Sequence, residues 1–122
     1  MKRVYVCCPV RPLSKNIEEA KLEFEKNLEI AEKACKLIMK SGKIPLCSQL
    51  YCIKGLKLDD TVESERKLGL EIGLDMLKES NEIAVFSERI SEGMSAEVKL
   101  AQDLGIPVLM LEETEKVYGK IS

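Results

Sequence analysis

Ile83-Ala84-Val85-Phe86 and, four residues on, Ser91-Glu92-Gly93-Met94-Ser95-Ala96-Glu97 form a short apolar run followed by a polar turn that opens a helix. The run has no polar alternation, the pattern of a strand buried on both faces. Past the turn, Met94, Val98, Ala101 and Leu104 step by threes and fours, which predicts an amphipathic helix from about Gly93 to Leu104. Glu97 falls on the same stripe. A carboxyl there faces the sheet rather than water and needs a partner or a task. It also lies near the helix N-terminus, where the dipole is positive and backbone N–H groups are free. One segment therefore sets an anion-binding turn, Ser91 and Gly93, beside an inward carboxylate.

Outward from this segment the same alternation repeats. Val4 to Cys7 is apolar on both faces, and Pro9 and Pro12 end it with Arg11 between them. Asn16 offers an N-cap, and Glu19 three residues later fits a capping box. The helix that follows carries Ile17, Ala20, Phe24, Leu28, Ala31, Cys35 and Ile38 on one stripe, and Gly42 marks its stop. Lys43 to Cys47 reads as a short strand, with Pro45 favouring an edge or an end. Ser48 to Asp60 reads as a loop, long for a tight connection, and such loops often cover sites. Asp59 or Asp60 is expected to cap a helix from about Thr61 to Ser80. That helix has two apolar rows, Leu68, Ile72 and Met76, and Leu70, Leu74 and Leu77. Gly69 and Gly73 sit between them. Each mid-helix glycine costs about 1 kcal/mol, which predicts close backbone approach as the compensation.

Ile106 to Leu111 is the last expected strand. Glu112 to Ser122 reads as a short helix or a tail anchored by Val117, Tyr118 and Ile121. Strands alternating with helices predict an α/β fold: a single doubly wound parallel sheet of four to five strands, Rossmann-like or flavodoxin-like, flanked by helices, in one domain over 1–122. Ligands of such folds bind at the C-terminal strand ends, by the topological switch point. Doubly wound order can make neighbours of the loops after the first and third strands, which carry Cys8-Pro9-Val10-Arg11 and Ser87 to Ser95.

Composition narrows the function. The chain has 122 residues, 45% hydrophobic and 33% charged, with a formal net charge of −2. That balance is ordinary for a soluble domain. It lacks the basic excess that general nucleic-acid binding requires. No apolar run approaches a membrane span, and strand-like sequence begins at once, so a cytoplasmic protein without a leader is expected. Five cysteines, Cys7, Cys8, Cys35, Cys47 and Cys52, with no histidine and no CxxC pair, fit neither a disulfide framework nor a zinc site. They read as reduced apolar residues. A reactive Cys8 beside Arg11, and with it a redox role for Cys7 or Cys8, is the competing reading.

The functional candidates each have a structural alternative. Glu97 suits covalent catalysis of the retaining-glycosidase kind, or is a first-turn glutamate favoured by the dipole. Ser91 and Gly93 can grip a phosphate at a helix start, or simply cap it. Arg11, in a loop stiffened by two prolines, can clamp an anion or be solvated. Tyr5 can be core or site. Glu71 and Asp75, i and i+4 on one helix, can supply a general acid or belong to a solvated face. Met94 can pack on a base and Tyr51 can cover the pocket, or they can be core and loop residues.

The pattern Tyr5-x-Cys7-x-x-x-Arg11, followed by Ser91-x-Gly93-x-x-x-Glu97, resembles the nucleoside 2-deoxyribosyltransferase superfamily. In motif detail it is most similar to the 2′-deoxynucleoside 5′-monophosphate N-glycosidase branch. The stretch RISEGMSAEVKLAQDLGIPV also resembles small phage and prophage members. The resemblance implies that Glu97 is the nucleophile at C1′ of a deoxyribose and that Tyr5 orients it. It implies that Ser91, where nucleoside-specific members have Asp, contacts a 5′-phosphate, with Cys8, Pro9, Arg11, Gly93 and Met94 in the binding loops. A second acid on the preceding helix, Glu71 or Asp75, would assist the leaving base. No metal or organic cofactor is implied, and the partner is a small nucleotide or nucleoside in a homodimer or larger oligomer. The chain departs from the pattern at Cys8-Pro9, at Pro12-Leu13-Ser14 and at Asn81-Glu82.

Two functions follow as expectations. The first is an N-glycosidase or deoxyribosyltransferase acting on a deoxynucleoside 5′-monophosphate or a related nucleotide. The alternative is a non-catalytic module that binds or sequesters a nucleotide on the same frame.

Overall fold

The computed structural model describes residues 1–121. Strand β1 (Arg3–Cys7) leads into helix α1 (Ile17–Lys40), and strand β2 (Ile44–Leu46) follows. A π-helical turn (Leu50–Gly55) precedes helix α2 (Glu63–Lys78). Strand β3 (Glu82–Val85), helix α3 (Glu92–Asp103), strand β4 (Val108–Leu109) and helix α4 (Leu111–Tyr118) complete the order. The described strands form one parallel sheet in the order β2-β1-β3-β4. The chain reverses direction across the sheet between β1 and β3, so the switch point lies between their C-terminal ends. None of the described helices is long and apolar enough to cross a membrane.

Strand periodicity divides the core in two. Val4, Val6, Cys8, Ala84 and Phe86 pack under α1 and α4, with Ala31, Ala34, Ile38 and Tyr118. Tyr5, Cys7, Ile83 and Val85 point to the other face, against Leu77 of α2 and Met94 and Ala101 of α3. Cys7 and Cys8 thus lie on opposite faces, and the side chain of Tyr5 is directed at α3.

Several local expectations need correction. Asn16 does cap α1, accepting from the Glu19 N–H at 3.1 Å, but Glu19 does not close the capping box. Its carboxylate instead accepts from the Ser14 hydroxyl at 2.8 Å, and Ser14 in turn accepts from the Asn16 N–H. Ile17 is 84% exposed and falls off the buried stripe, while Ala34 joins it. Asp59 accepts from the N–H and hydroxyl of Thr61, so it closes a turn, and α2 starts behind Val62 with no side-chain cap. The segment after β2 holds a helical turn because Leu56 N–H reaches back five residues to the Tyr51 carbonyl at 2.8 Å. The polar C-terminal stretch is helical from Leu111 to Tyr118, and Ser122 lies outside the described residues. Tyr118 anchors it by donating to Glu82 and accepting from Lys43 Nζ at 2.9 Å.

Candidate active site

Glu97 sits in the second turn of α3, whose start is fixed by Ser91: the serine Oγ accepts the Met94 N–H at 3.3 Å. This places the Glu97 carboxyl over the C-terminal end of β1. The Tyr5 hydroxyl donates to Glu97 Oε2. The Cys7 thiol lies 3.6 Å from Oε1 and is oriented to donate to it. Tyr5 is itself held, with Ser48 Oγ at 2.8 Å. Since the tyrosine proton is committed to Glu97, Ser48 is the donor in that pair. The carboxyl is therefore gripped at both oxygens from one strand, by side chains two residues apart on the same face.

This grip works against burial. Desolvation raises the Glu97 carboxyl, the bonds from Tyr5 and Cys7 lower it, and the balance stands at about 7. Burial, with the Glu97 charge adding to it, pushes Tyr5 and Cys7 well above their ordinary values, so both remain protonated donors. Burial likewise pushes Cys8 up. The reading of Cys8 as an activated thiol is corrected: the nearby arginine pairs elsewhere.

A cavity of about 560 Å³ opens in front of Glu97, at the switch point. The loop after β1 contributes Cys8, Val10 and Arg11; the segment after β2 contributes Ser48, Gln49, Cys52, Ile53 and Asp60. Helix α2 contributes Arg66, Gly69, Leu70, Gly73 and Leu74, and α3 adds Ser91, Gly93, Met94 and Glu97. Arg11 is 57% exposed, and its Nε stands 3.4 Å from Asp60 Oδ2. Met94 is buried against the sheet and closes the cavity from below.

The sequence-derived residues therefore converge in part. Glu97, Cys8, Arg11, Ser91, Gly93 and Met94 line the cavity, and Tyr5 supports it from beneath. Pro9 is buried behind the loop and does not line it. Glu71 and Asp75 are not brought here: both are exposed, off the cavity wall, and Asp75 pairs with Lys78 at 3.6 Å. Helix α2 turns Gly69, Leu70 and Gly73 inward instead, so those two carboxyls project to solvent. Tyr51 is half exposed and also lies off the cavity; Cys52 and Ile53 line it in its place.

Residues that sequence reasoning passed over include Ser48 and Gln49. Gln49 is buried, donates to the Cys8 carbonyl at 2.6 Å and accepts from the Cys47 thiol at 3.2 Å, tying the two strand-end loops together. A polar pair just past a strand's C-terminal end is the signal that could have marked them. Among the described residues no group of three His, Cys, Asp or Glu side chains is placed to hold a metal.

Residues 2–111 match a family described as a domain of unknown function (DUF7768), and the chain belongs to that family. No curated protein matches it in sequence. Among solved structures it is similar to a 2-deoxyribosyltransferase from the psychrotolerant bacterium Bacillus psychrosaccharolyticus. The TM-score is 0.62 and the identity 14%, over 88% of this chain and 70% of that one. The likeness establishes a shared fold.

Proposed function

We propose that this member of the family is a one-domain enzyme that cleaves or transfers the N-glycosidic bond of a deoxynucleoside 5′-monophosphate or a related nucleotide, with Glu97 as the nucleophile. The observation that carries the reading is the Glu97 carboxyl, half-buried on the cavity wall, held at both oxygens and poised near pH 7. A module built only to bind an anion gains nothing from a carboxyl at that place, since its charge repels the ligand. Catalysis gives it a task. The shared fold with a deoxyribosyltransferase is consistent with this reading.

In the proposed reaction one oxygen of ionised Glu97 attacks C1′ of the sugar. The C1′–N bond breaks, its electron pair leaves with the base, and the base takes a proton from water. A glycosyl ester remains on Glu97. Water then adds to C1′, the ester C–O bond returns its pair to the carboxylate, and the proton passes to solvent. A second base in place of water makes the same site a transferase. Tyr5 and Cys7 hold the carboxylate in line and offset part of its desolvation. Ser91, whose hydroxyl proton is free of the cap bond, and the N–H groups at Gly93 bind the 5′-phosphate with Arg11. Met94, Leu70 and Cys8 offer the base an apolar wall. Glu71 and Asp75 take no part.

The test is acid quenching of the protein during turnover, followed by mass analysis. An adduct of one deoxyribose 5-phosphate, mapped to the peptide containing Glu97, is expected. Turnover with no adduct on any carboxyl in a fast quench, and undiminished in Glu97→Ala, contradicts it. We also infer self-association, since Leu13, Ile17 and Leu22 leave exposed apolar side chains before and along the start of α1. Light scattering at micromolar concentration should give a dimer or larger; a monomer would reject this.

A further inference from the structure

We propose that Arg66 supplies a second guanidinium to the anion end of the cavity, and that Asp60 is a built-in competitor that holds Arg11 until the phosphate of a nucleotide takes its place. The inference rests on the nucleotide reading of the cavity.

Arg66 lies on the inward stripe of α2. Positions 66, 70, 73 and 77 follow one another by fours and threes, and that stripe is the one turned to the cavity and the core. An arginine is an unusual occupant of such a stripe. Its side chain is half-buried on the cavity wall, yet no described residue accepts a hydrogen bond or forms an ion pair with its guanidinium. A half-buried guanidinium with no bonded acceptor keeps its N–H fork open for an anionic ligand. The first turns of a helix disfavour positive charge, which an anion there offsets. Glu65 and Glu92 line the same cavity, but neither is paired with Arg66, and Glu65 accepts from the Asp59 N–H at 3.2 Å. Glu92 is exposed.

Arg11 presents the complementary case. Its contact with Asp60 is single, through Nε at 3.4 Å, and leaves the rest of the guanidinium fork open. A contact of that length and exposure is weak, whereas a phosphate dianion can take two parallel N–H bonds from the same fork. Asp60 therefore occupies the place of the ligand without holding it firmly. An anion that reaches both Arg11 and Arg66 in the cavity they line gains two guanidinium partners and displaces one carboxylate. The bare nucleoside gains neither, so the pair selects for phosphorylated substrates.

The test measures affinity of the full chain for the four deoxynucleoside 5′-monophosphates and the matching deoxynucleosides by calorimetry, with base release followed in parallel. Arg66→Gln should lower the ratio of nucleotide to nucleoside affinity about tenfold, with Arg66→Lys recovering part of it. Asp60→Asn should shift the same ratio the other way, a tightening of about threefold that a damaged fold would not produce. Unchanged ratios in both variants, with nucleotide bound and cleaved by the wild type, would overturn the proposal and leave the glycosidase reading intact. Weaker nucleotide binding in Asp60→Asn would also overturn it, by making Asp60 a positioner of Arg11. Ratios shifted as expected, with no base ever released, would uphold the grip and reject the glycosidase reading. Absence of nucleotide binding in the wild type would reject both.

Discussion

Gly73 leaves the space that the Tyr5 hydroxyl needs: a Cβ at position 73 would stand 3.0 Å from Tyr5 Oη and 3.2 Å from Ser48 Oγ. The helix gives up propensity at this point, and the strand gains a fixed phenol under Glu97. Gly69, one turn earlier, faces nothing nearer than 4.0 Å.

The two glycines therefore predict opposite responses to alanine. Gly69→Ala should stabilise the fold by up to about 1 kcal/mol through helix propensity. Gly73→Ala should fail to gain that amount, because Tyr5 and Ser48 must move, and should reduce activity at least tenfold as the phenol leaves Glu97. Thermal melting and kcat/KM on the two variants check this. A Gly73→Ala protein as active as wild type would mean that the placement of Tyr5 does not matter.

The carboxyl at about 7 predicts the pH profile. If Glu97 attacks as the carboxylate, kcat/KM rises with pH through about 7 and levels off above it. Tyr5→Phe removes a bond that lowers this value, so the acid limb should move to higher pH as well as fall in height. A limb that stays in place would separate Tyr5 from the titration of Glu97.

Stability should show the same group with the opposite sense. The folded value lies above the ordinary 4.5, so the folded protein binds more protons than the unfolded chain between these values. Stability therefore falls as pH rises from about 4.5 to about 7, by on the order of 2 to 3 kcal/mol, and is flat beyond for this group. Glu97→Gln should abolish that slope and be the more stable protein at pH 8. Parallel curves for the two proteins in urea would show that the carboxyl is not desolvated.

Much of this arrangement was legible in the sequence. The position of Glu97 on the stripe of Met94, Val98 and Ala101 points it inward, and the alternation of elements allows the loops after β1 and β3 to be neighbours, an option the sheet order β2-β1-β3-β4 selects. Other features escaped for physical reasons. The π-helical turn after β2 is too short for its wider period to leave a hydrophobic pattern. Helix α2 carries two apolar rows, so the sequence alone leaves its inward face ambiguous, and with it the choice between a site role and a solvated face for Glu71 and Asp75; both lie on the solvated face. The stripe through Arg66, Leu70, Gly73 and Leu77 becomes visible only once Gly73 is known to touch Tyr5. Asp59 and Asp60 both suit a helix cap in sequence, but Asp59 closes a turn on Thr61 and Asp60 faces Arg11.

Burial also predicts silence from the thiols. Cys7 and Cys8 are buried, and burial pushes both thiols up. Iodoacetamide at pH 8 should label neither in the folded protein and both after unfolding, as counted by mass. Rapid labelling of Cys8 in the folded state would revive the redox reading.

The most direct measurement follows free base by chromatography while the protein is incubated with each deoxynucleoside 5′-monophosphate, with Glu97→Ala run beside it. Base should appear from the wild type with at least one of these nucleotides, and none above the uncatalysed rate from the variant. No base from any nucleotide, with or without an added acceptor base, or equal release by the two proteins, would contradict it.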